Sequence, residues 1–460
     1  MVCHTLPTLE TVASIHPMNQ HYPTTVVTPC VTPLPERPGE KTSTRQFSAP
    51  AVSSRDCVSS RYASSKPSPS DTNKPAVLGN CEANCSHELL PTISVLVPVR
   101  NEERYLERTL RALLTQDYPS ERYEVIVADG MSEDGTVAIV RRLQREYPQL
   151  RLVCNPRRWS SAGRNAAWKA SRGELILIVD GHCHIPDDQY LRRVADLFAA
   201  TGADCLARPQ PLEVPEATPF QQAVALARRS WLGHNPDSDI FAQIPRFVPA
   251  QNTAVAYRRE VFFRVGLFDE SFDACEDVEF NTRVDAAGLR CYFAPQLRVH
   301  YEPRRSFAAL FRQLCRYGTG RARLAFKHPH ALTFPALIPP LGLMLLVTGV
   351  LVSALWPPFA LIVLLALLAY VLLLGLVSLH VAYRHPWPVR WRVPLAFIGI
   401  HFGFAWGFVY ETGQQLVRRL HKAAKNIIHR CRWRNRWNRW IHRRYPSNTR
   451  PQIVFGPPAL

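Results

Sequence analysis

The sequence predicts an α/β domain with a mostly parallel central sheet, followed by a C-terminal transmembrane helical region. Three observations carry this. Between residues 91 and 180, short β-branched apolar runs alternate with stretches of helical spacing, as in a parallel sheet with crossover helices. Phe334–Leu355 and Pro357–Leu379 are apolar runs of 22 and 23 residues without a charge, each long enough to span a bilayer. A mean hydropathy of −0.12 with 20% charged residues leaves room for a soluble core beside them.

The elements follow in order. Ile93–Val99 (ISVLVPV) reads as a buried strand. Glu103–Leu114 then sets Tyr105, Leu106, Leu110, Leu113 and Leu114 at helical spacing. Tyr123–Ala128 is a second strand closed by Asp129-Gly130, and Thr136–Tyr147 a second helix. Leu152–Cys154 is a short third strand, Ala162–Ser171 a third helix, and Leu175–Val179 a fourth strand closed by Asp180-Gly181. A helical stretch is expected again at 278–287. In residues 1–90 no apolar period persists and more than a third are Ser, Thr or Pro, so this segment is read as disordered. Met1–Gln20 lacks a basic stretch followed by an apolar one, so no signal peptide is predicted.

A net charge of +18 over 460 residues would suit nucleic acid if it were spread evenly. Instead residues 1–90 balance to zero, and residues 412–460 hold twelve Lys or Arg with no acidic residue. The excess describes a tail, and nucleic acid is not an expected partner. The 39 Pro and 21 Gly exclude a collagen-like chain. The twelve Cys are not read as a disulfide framework, because Cys154, Cys205, Cys291 and Cys315 lie in or beside apolar stretches. Cys81, Cys85 and His87 have a loosely metal-like spacing without a matching second pair.

In parallel sheets, ligands bind beyond the carboxyl ends of strands, at the switch point. Asp129 and Asp180 sit at two such ends. One carboxylate there is usually a turn former or a helix cap; two point to a site. Asp180 and His182, two apart in extended chain, can point around one cation. Cys183 and His184 leave an ordinary loop open as the alternative.

These residues belong to runs that resemble family 2 glycosyltransferases of the GT-A fold. The runs are VPVRNEE (Val97–Glu103), VIVADGMSEDGT (Val125–Thr136), SAGRNAAWKASRGELILIVDGH (Ser161–His182), FDESFDACEDVEFNTRVDAAG (Phe268–Gly288) and QLCRY (Gln313–Tyr317), in that order over about residues 91–328. With a membrane region, the DGH form most resembles bacterial exopolysaccharide glucosyltransferases of the succinoglycan type. The resemblance implies that Pro98, Glu102, Asp129, Arg164, Asp180 and Arg316 bind a UDP-sugar donor. Asp129 would accept from uracil N3–H, Glu102 would bond the ribose, and Arg164 would sit near the diphosphate. It implies Asp180, His182 and His300 as ligands of Mn or Mg, with Asp180-Gly181-His182 in place of the usual DxD. Asp277 would take the acceptor hydroxyl proton and so invert the anomeric centre, with Glu276 and Glu279 as substitutes. A helix N-terminal charge set is the alternative for that acidic cluster. Asn252, Gln313 and Tyr317 would face the acceptor, Tyr317 standing where the family motif has Trp. Gly318-Thr319-Gly320 follows a helix rather than a strand and is not read as a dinucleotide fingerprint.

Pro394–Tyr410 is a third apolar stretch, shorter at 17 residues and holding His401. Arg312, Arg316, Arg321, Arg323 and Lys327 closely precede the first span, which by the positive-inside rule puts the catalytic domain in the cytoplasm. A third complete span would send the basic tail outside, against that rule. So Pro394–Tyr410 is re-entrant or interfacial, or the rule fails here. Trp433, Trp437 and Trp440 recur at one helical face among Arg residues, which suits anionic membrane lipids, with RNA stacking as the competing reading.

The chain thus divides into a segment 1–90, a transferase domain 91–328, a membrane region 329–412 and a tail 413–460. It is expected to be a multi-pass protein of the bacterial inner (plasma) membrane. Its expected activity moves a sugar from a UDP-sugar to a lipid-linked saccharide, in exopolysaccharide or cell-surface glycan biosynthesis. The alternatives are a polyprenyl-phosphate sugar synthase, against which Gln313–Tyr317 argues, and a non-catalytic scaffold with a degenerate transferase fold.

Overall fold

The computed structural model describes residues 90–234 and 238–444, apart from some side chains. The expected disordered segment, with Cys81, Cys85 and His87, lies outside the described residues. All four strands expected from the sequence form: β1 (Ile93–Val99), β2 (Tyr123–Asp129), β3 (Leu150–Cys154) and β4 (Leu175–Ile178). They are joined by α1 (Leu106–Leu114), α2 (Thr136–Leu143) and α3 (Ser160–Ala170). Next come β5 (Cys183–His184), α4 (Tyr190–Thr201), β6 (Cys205–Ala207), α5 (Pro219–Arg229), β7 (Arg246–Val248), β8 (Ala254–Arg258) and α6 (Arg259–Val265). α7 (Glu276–Ala286), β9 (Cys291–Phe293) and β10 (His300–Tyr301) complete the α/β region.

Eight strands make one sheet in the order β3-β2-β1-β4-β8-β6-β9-β7. It is mostly parallel, as expected; β8 runs against β4 and β6, and β7 runs against β9. The chain moves outward from β1 through β2 to β3 and returns to place β4 on the other side of β1, so the switch point lies between β1 and β4.

Both faces of the sheet are covered, which is why β1 reads as one continuous apolar run. Val95 and Val97 pack with Leu106, Leu110, Val140 and Phe198 on one face. Leu96 packs with Ile126, Ile176, Phe262 and Phe280 on the other. Each such fully buried side chain contributes about 1.5–3 kcal/mol relative to exposure. That rigidity supports strained backbone at the sheet's carboxyl edge. Five non-glycine residues among those described have positive φ: Asn101, Met131, Arg158, Glu216 and Cys275. Three of them follow β1, β2 and β3, and Cys275 precedes α7. Such conformations cost about 1–3 kcal/mol each and persist where the surroundings enforce them.

The helical region starts with α8 (Phe307–Lys327), which Ser306 caps by accepting from the Ala309 amide. α9 (Phe334–Leu355) and α10 (Phe359–Ala382) reproduce the two long apolar runs. The third stretch is not a separate 17-residue element: after α11 (Trp387–Arg390) it opens α12 (Arg392–Arg444), a 53-residue helix. α9, α10 and the apolar part that opens α12 are each long and apolar enough to cross a membrane. Trp433, Trp437 and Trp440 all fall within α12, as the periodicity predicts, though the side chains of Trp437 and Trp440 lie outside those described.

Gly318 and Gly320 have a packing role. A Cβ at Gly318 would meet the Phe404 carbonyl of α12 at 2.1 Å, and one at Gly320 the Ala274 carbonyl at 2.5 Å. Only glycine permits both approaches, which also explains a G-x-G inside a helix.

The first turn of α7 is clamped to the C-terminal end of α8. Glu279 is fully buried; it accepts from Arg283, from Lys327 at 2.7 Å and from His328 at 3.1 Å, while Lys327 also binds Asp269. Burial raises the Asp269 carboxyl, but the Lys327 and Ser271 hydrogen bonds outweigh it and hold the group at about 2. The same balance lowers Glu279, burial being overcome by Arg283 and Lys327. Both groups are depressed in the folded state, so their stabilisation is complete above the unfolded carboxylate range and is lost as pH falls through the folded values. Thermal melts of the detergent-solubilised protein are therefore expected to fall steeply between about pH 4 and pH 2. A Glu279→Gln variant should melt lower at neutral pH and lose less on acidification; identical acid profiles would count against the clamp.

Candidate active site

The site gathers at the carboxyl ends of β1, β2 and β4. Asp129 closes β2 and is buried; its Oδ2 accepts from the Ser132 amide at 3.1 Å. Its Oδ1 is buried without a partner, a condition that costs free energy until a donor arrives. Pro98 lies beside it on β1, and Gly163 of α3 lets the helix approach, since a Cβ there would fall 3.2 Å from the Pro98 Cβ.

Asp180-Gly181-His182 forms the turn after β4. Thr109 of α1 holds this turn by donating to the carbonyls of Gly181 and Cys183. Gly181 is needed because a Cβ would stand 2.8 Å from Val99 Cγ1. Asp180 Oδ2 accepts from the Tyr301 hydroxyl at 2.7 Å, and its Oδ1 lies 3.7 Å from the Arg164 guanidinium. Burial raises the Asp180 carboxyl, but Arg164, His182 and Tyr301 hold it below the usual range. His182 donates from Nδ1 to Glu102 at 3.0 Å. Burial lowers this imidazole's pKa, yet Glu102 and Asp180 leave it above the ordinary value.

Arg164 is buried within α3 and stacks over Phe268 at 5.3 Å. It bridges Asp180 and Glu276, the latter at 3.2 Å. Burial opposes its charge, but Glu276, Asp180 and Asp277 raise its pKa. Glu276 is buried, and burial pushes its carboxyl up against the pull of Arg164. Asp277 is exposed, one residue into α7, and accepts from the Val278 amide at 2.8 Å. Glu276 and Glu279 are thus tied into ion pairs that fix the helix, and Asp277 presents its carboxylate outward.

On the same wall, α8 carries Gln313, Arg316 and Tyr317. Gln313 donates to the Tyr317 hydroxyl at 3.2 Å, and Arg316 donates to the Asp273 carbonyl just before the acidic cluster. Asn252 ends a short 3-10 turn, Ala250–Asn252, that Asp285 caps through the Ala250 and Gln251 amides; its side chain lies outside those described.

Two expected placements need correction. His300 does not join Asp180 and His182. It pairs with His184 across the β5–β10 ladder, and its Nδ1 donates to the Glu213 carbonyl at 2.6 Å. Neighbouring residues of a strand face opposite ways, so Tyr301, not His300, reaches Asp180. Among the described residues no group of three or more His, Cys, Asp or Glu could hold a metal ion. Glu279 is also removed as a substitute base by its full burial in the clamp.

Sequence reasoning missed Tyr301, Thr109 and Arg208. Arg208 is fully buried beneath the site with its guanidinium 5.7 Å from the Tyr301 ring, and its charge helps lower Asp180. The one available signal was an arginine at the end of an apolar strand, Cys205–Ala207.

Known proteins resemble this chain at the level of family and fold. Residues 91–320, half of the chain, match the family described as Glycosyltransferase like family 2. The chain is 34% identical over 246 residues to the succinoglycan biosynthesis protein ExoA of Rhizobium meliloti, covering 53% of this chain and 73% of that protein. It is 29% identical over 240 residues to the glycosyltransferase AglE of Haloferax volcanii, covering 51% and 74%. Among solved structures, the mannosyltransferase PcManGT from Pyrobaculum calidifontis in complex with GDP-Man and Mn2+ matches with a TM-score of 0.47 and 24% identity, over 69% of this chain and 88% of that one. A mostly parallel sheet with its switch point at β1 and β4, two strand-end aspartates, and a family match that takes in β1 through most of α8 lead to one assignment: the chain belongs to glycosyltransferase family 2 and has the GT-A fold.

Proposed function

We propose that this family 2 glycosyltransferase is an inverting enzyme that transfers a sugar from a UDP-sugar to a lipid-linked saccharide. The reaction would take place at the cytoplasmic face of a bacterial inner membrane, in exopolysaccharide or cell-surface glycan synthesis. The observation that carries the reading is the bridge made by Arg164. Its guanidinium lies 3.7 Å from Asp180 and 3.2 Å from Glu276, whose neighbour Asp277 is exposed.

The partnerless Asp129 Oδ1 suits a nucleobase N–H such as that of uracil N3. Glu102, expected on the ribose, instead orients His182. That bond occupies Nδ1 and leaves Nε2 as the ligand nitrogen, the usual arrangement of a metal-binding histidine. Asp180 and His182 would thus hold Mn or Mg without His300, and the ion would neutralise charge on the leaving diphosphate. Arg164 keeps Asp180 ionised and fixes α7 through Glu276, which holds Asp277 at the mouth of the site. Asp277 then accepts the proton of the acceptor hydroxyl as that oxygen attacks opposite the leaving group, so the anomeric centre inverts. Arg316 would reach the donor diphosphate, and Gln313 and Tyr317 would face the acceptor.

A lipid-linked acceptor is favoured because α8 continues within a few residues into the apolar α9. The relative from Rhizobium, named for succinoglycan biosynthesis, supports the glycan role. The decisive experiment presents a panel of radiolabelled nucleotide sugars to membranes containing the full chain, with added lipid extract. Transfer from one UDP-sugar into solvent-extractable lipid is expected. Use of a GDP-sugar alone, or label only in water-soluble product, would overturn the donor or the acceptor reading respectively.

A further inference from the structure

We propose that α12 does not cross the membrane. It lies along the membrane surface beside α8 with its outward face docked on anionic headgroups, and the C-terminal end of the chain stays on the side of the active site. The proposal rests on reading α9 and α10 as the two crossings.

The first support is the register between α8 and α12. A Cβ at Gly399 would meet Leu310 at 3.2 Å, one at Gly403 the Phe311 carbonyl at 2.9 Å, and one at Gly407 the Cys315 carbonyl at 2.0 Å. Further along, Arg323 binds Glu411 at 3.0 Å, and Arg419 stacks on Phe326 at 4.5 Å. The contacts advance together from 310 to 326 on one helix and from 399 to 419 on the other, so the two run parallel, side by side. Wherever the apolar part of α12 goes, α8 goes with it.

α8 cannot enter hydrocarbon. Arg312 and Arg316 are exposed beside the apolar stretch of α12, and charged side chains within a bilayer are costly and need partners or water. Burial makes the same distinction. The most apolar windows of α9 and α10 are each 11% buried within the protein, which leaves their surfaces for lipid, whereas that of α12 is 50% buried. α12 spends its apolar face on α8, α9, α5 and α10, including Val393, Phe397 and Ile400 against Leu310, Leu314, Val224, Leu374 and Val377.

The outward face fits a headgroup layer. Trp406, Tyr410, Val417 and Leu420 are 61%, 58%, 62% and 70% exposed, and at 100° per residue they fall within an arc of about 80°. By the same arithmetic Lys425, Arg418 and Lys422 lie about 60°, 80° and 120° beyond the stripe's edge, all on one flank and all exposed, and no acidic residue follows Glu411. An apolar stripe with aromatic residues and a basic flank suits an anionic lipid surface. This placement also keeps the basic tail on the side that the positive-inside rule requires.

The test uses the full chain in sealed membrane vesicles of one orientation, with epitope tags at the exposed Glu146 turn, after Trp356 and after Leu460. Added protease is expected to treat the tags at Glu146 and Leu460 alike and the one after Trp356 oppositely. A Leu460 tag on the side opposite Glu146 overturns the proposal. A Trp356 tag on the same side as Glu146 overturns the crossing reading beneath it, a distinguishable failure. For the lipid partner, the protein is reconstituted in phosphatidylcholine with and without phosphatidylglycerol. Trypsin should remove the C-terminal tag about tenfold more slowly with the anionic lipid, and a Lys422→Glu/Lys425→Glu variant should lose that protection. Equal cleavage of the unmodified chain in both vesicles rejects anionic docking.

Discussion

Asp277→Asn is expected to reduce sugar transfer by about 10²- to 10⁴-fold, the range for loss of a general base, while donor binding stays within about twofold. The substitution changes charge but not shape. Asn can still accept from the Val278 amide, so the first turn of α7 should survive. Asp277 makes no contact with Asp180, which Arg164 links instead to Glu276, so the loss should fall on kcat rather than on donor affinity. Single-turnover transfer and donor titration by calorimetry separate the two. Transfer within a few-fold of the unmodified enzyme would remove Asp277 from the chemistry. A matching loss in Glu276→Gln, with Asp277→Asn still active, would move the role to the neighbouring carboxylate.

Arg164→Met should be the most destabilising single change near the site. It keeps the volume and removes the charge between Asp180 and Glu276, both largely withdrawn from water. Removing one partner of a buried ion pair typically costs about 3–5 kcal/mol, because the remaining charges lose their compensation. Urea unfolding of the α/β region, followed by near-ultraviolet circular dichroism, would report it. Arg164→Lys restores the charge but not a planar two-sided contact, so it should recover only part. A midpoint unchanged in Arg164→Met would mean that Asp180 and Glu276 find solvent or other partners readily.

The first four strands were legible in the sequence because they are parallel and, in β1, β4 and the middle of β2, buried on both faces as apolar runs. β3 is the half-buried edge strand with Arg151, and only its Leu152–Cys154 end was read. β6, β7, β8 and β9 escaped because they are three to five residues long and two of them run antiparallel. A three-residue run has no measurable period. At the site, the strand-end aspartates and the exposed Asp277 could be located because their neighbours fit a motif in sequence order. Side-chain direction could not. His300 and Tyr301 are adjacent, and only the pairing of β10 with β5 decides which one faces Asp180. Arg164 was placed by its motif, but one of its two carboxylate partners, Glu276, comes from α7, more than a hundred residues away. The third apolar stretch was legible as apolar, yet length and composition could not say that its partner would be α8 rather than lipid.

The seam between α8 and α12 also bears on how the catalytic region could be isolated. A polypeptide ending near residue 328 would retain Asp129, Asp180, Asp277 and Tyr317. It would nonetheless lose the wall against which Leu310, Leu314 and Gly318 are packed, as well as the carboxylate that holds Arg323. The exposed groove would invite self-association, and the helix bearing Gln313, Arg316 and Tyr317 would be free to shift. A soluble form suited to crystallisation would have to carry residues 392–425 grafted back by a linker in place of α9 and α10, so the natural boundary of the enzyme is set by helix pairing rather than by the point where the chain first turns hydrophobic.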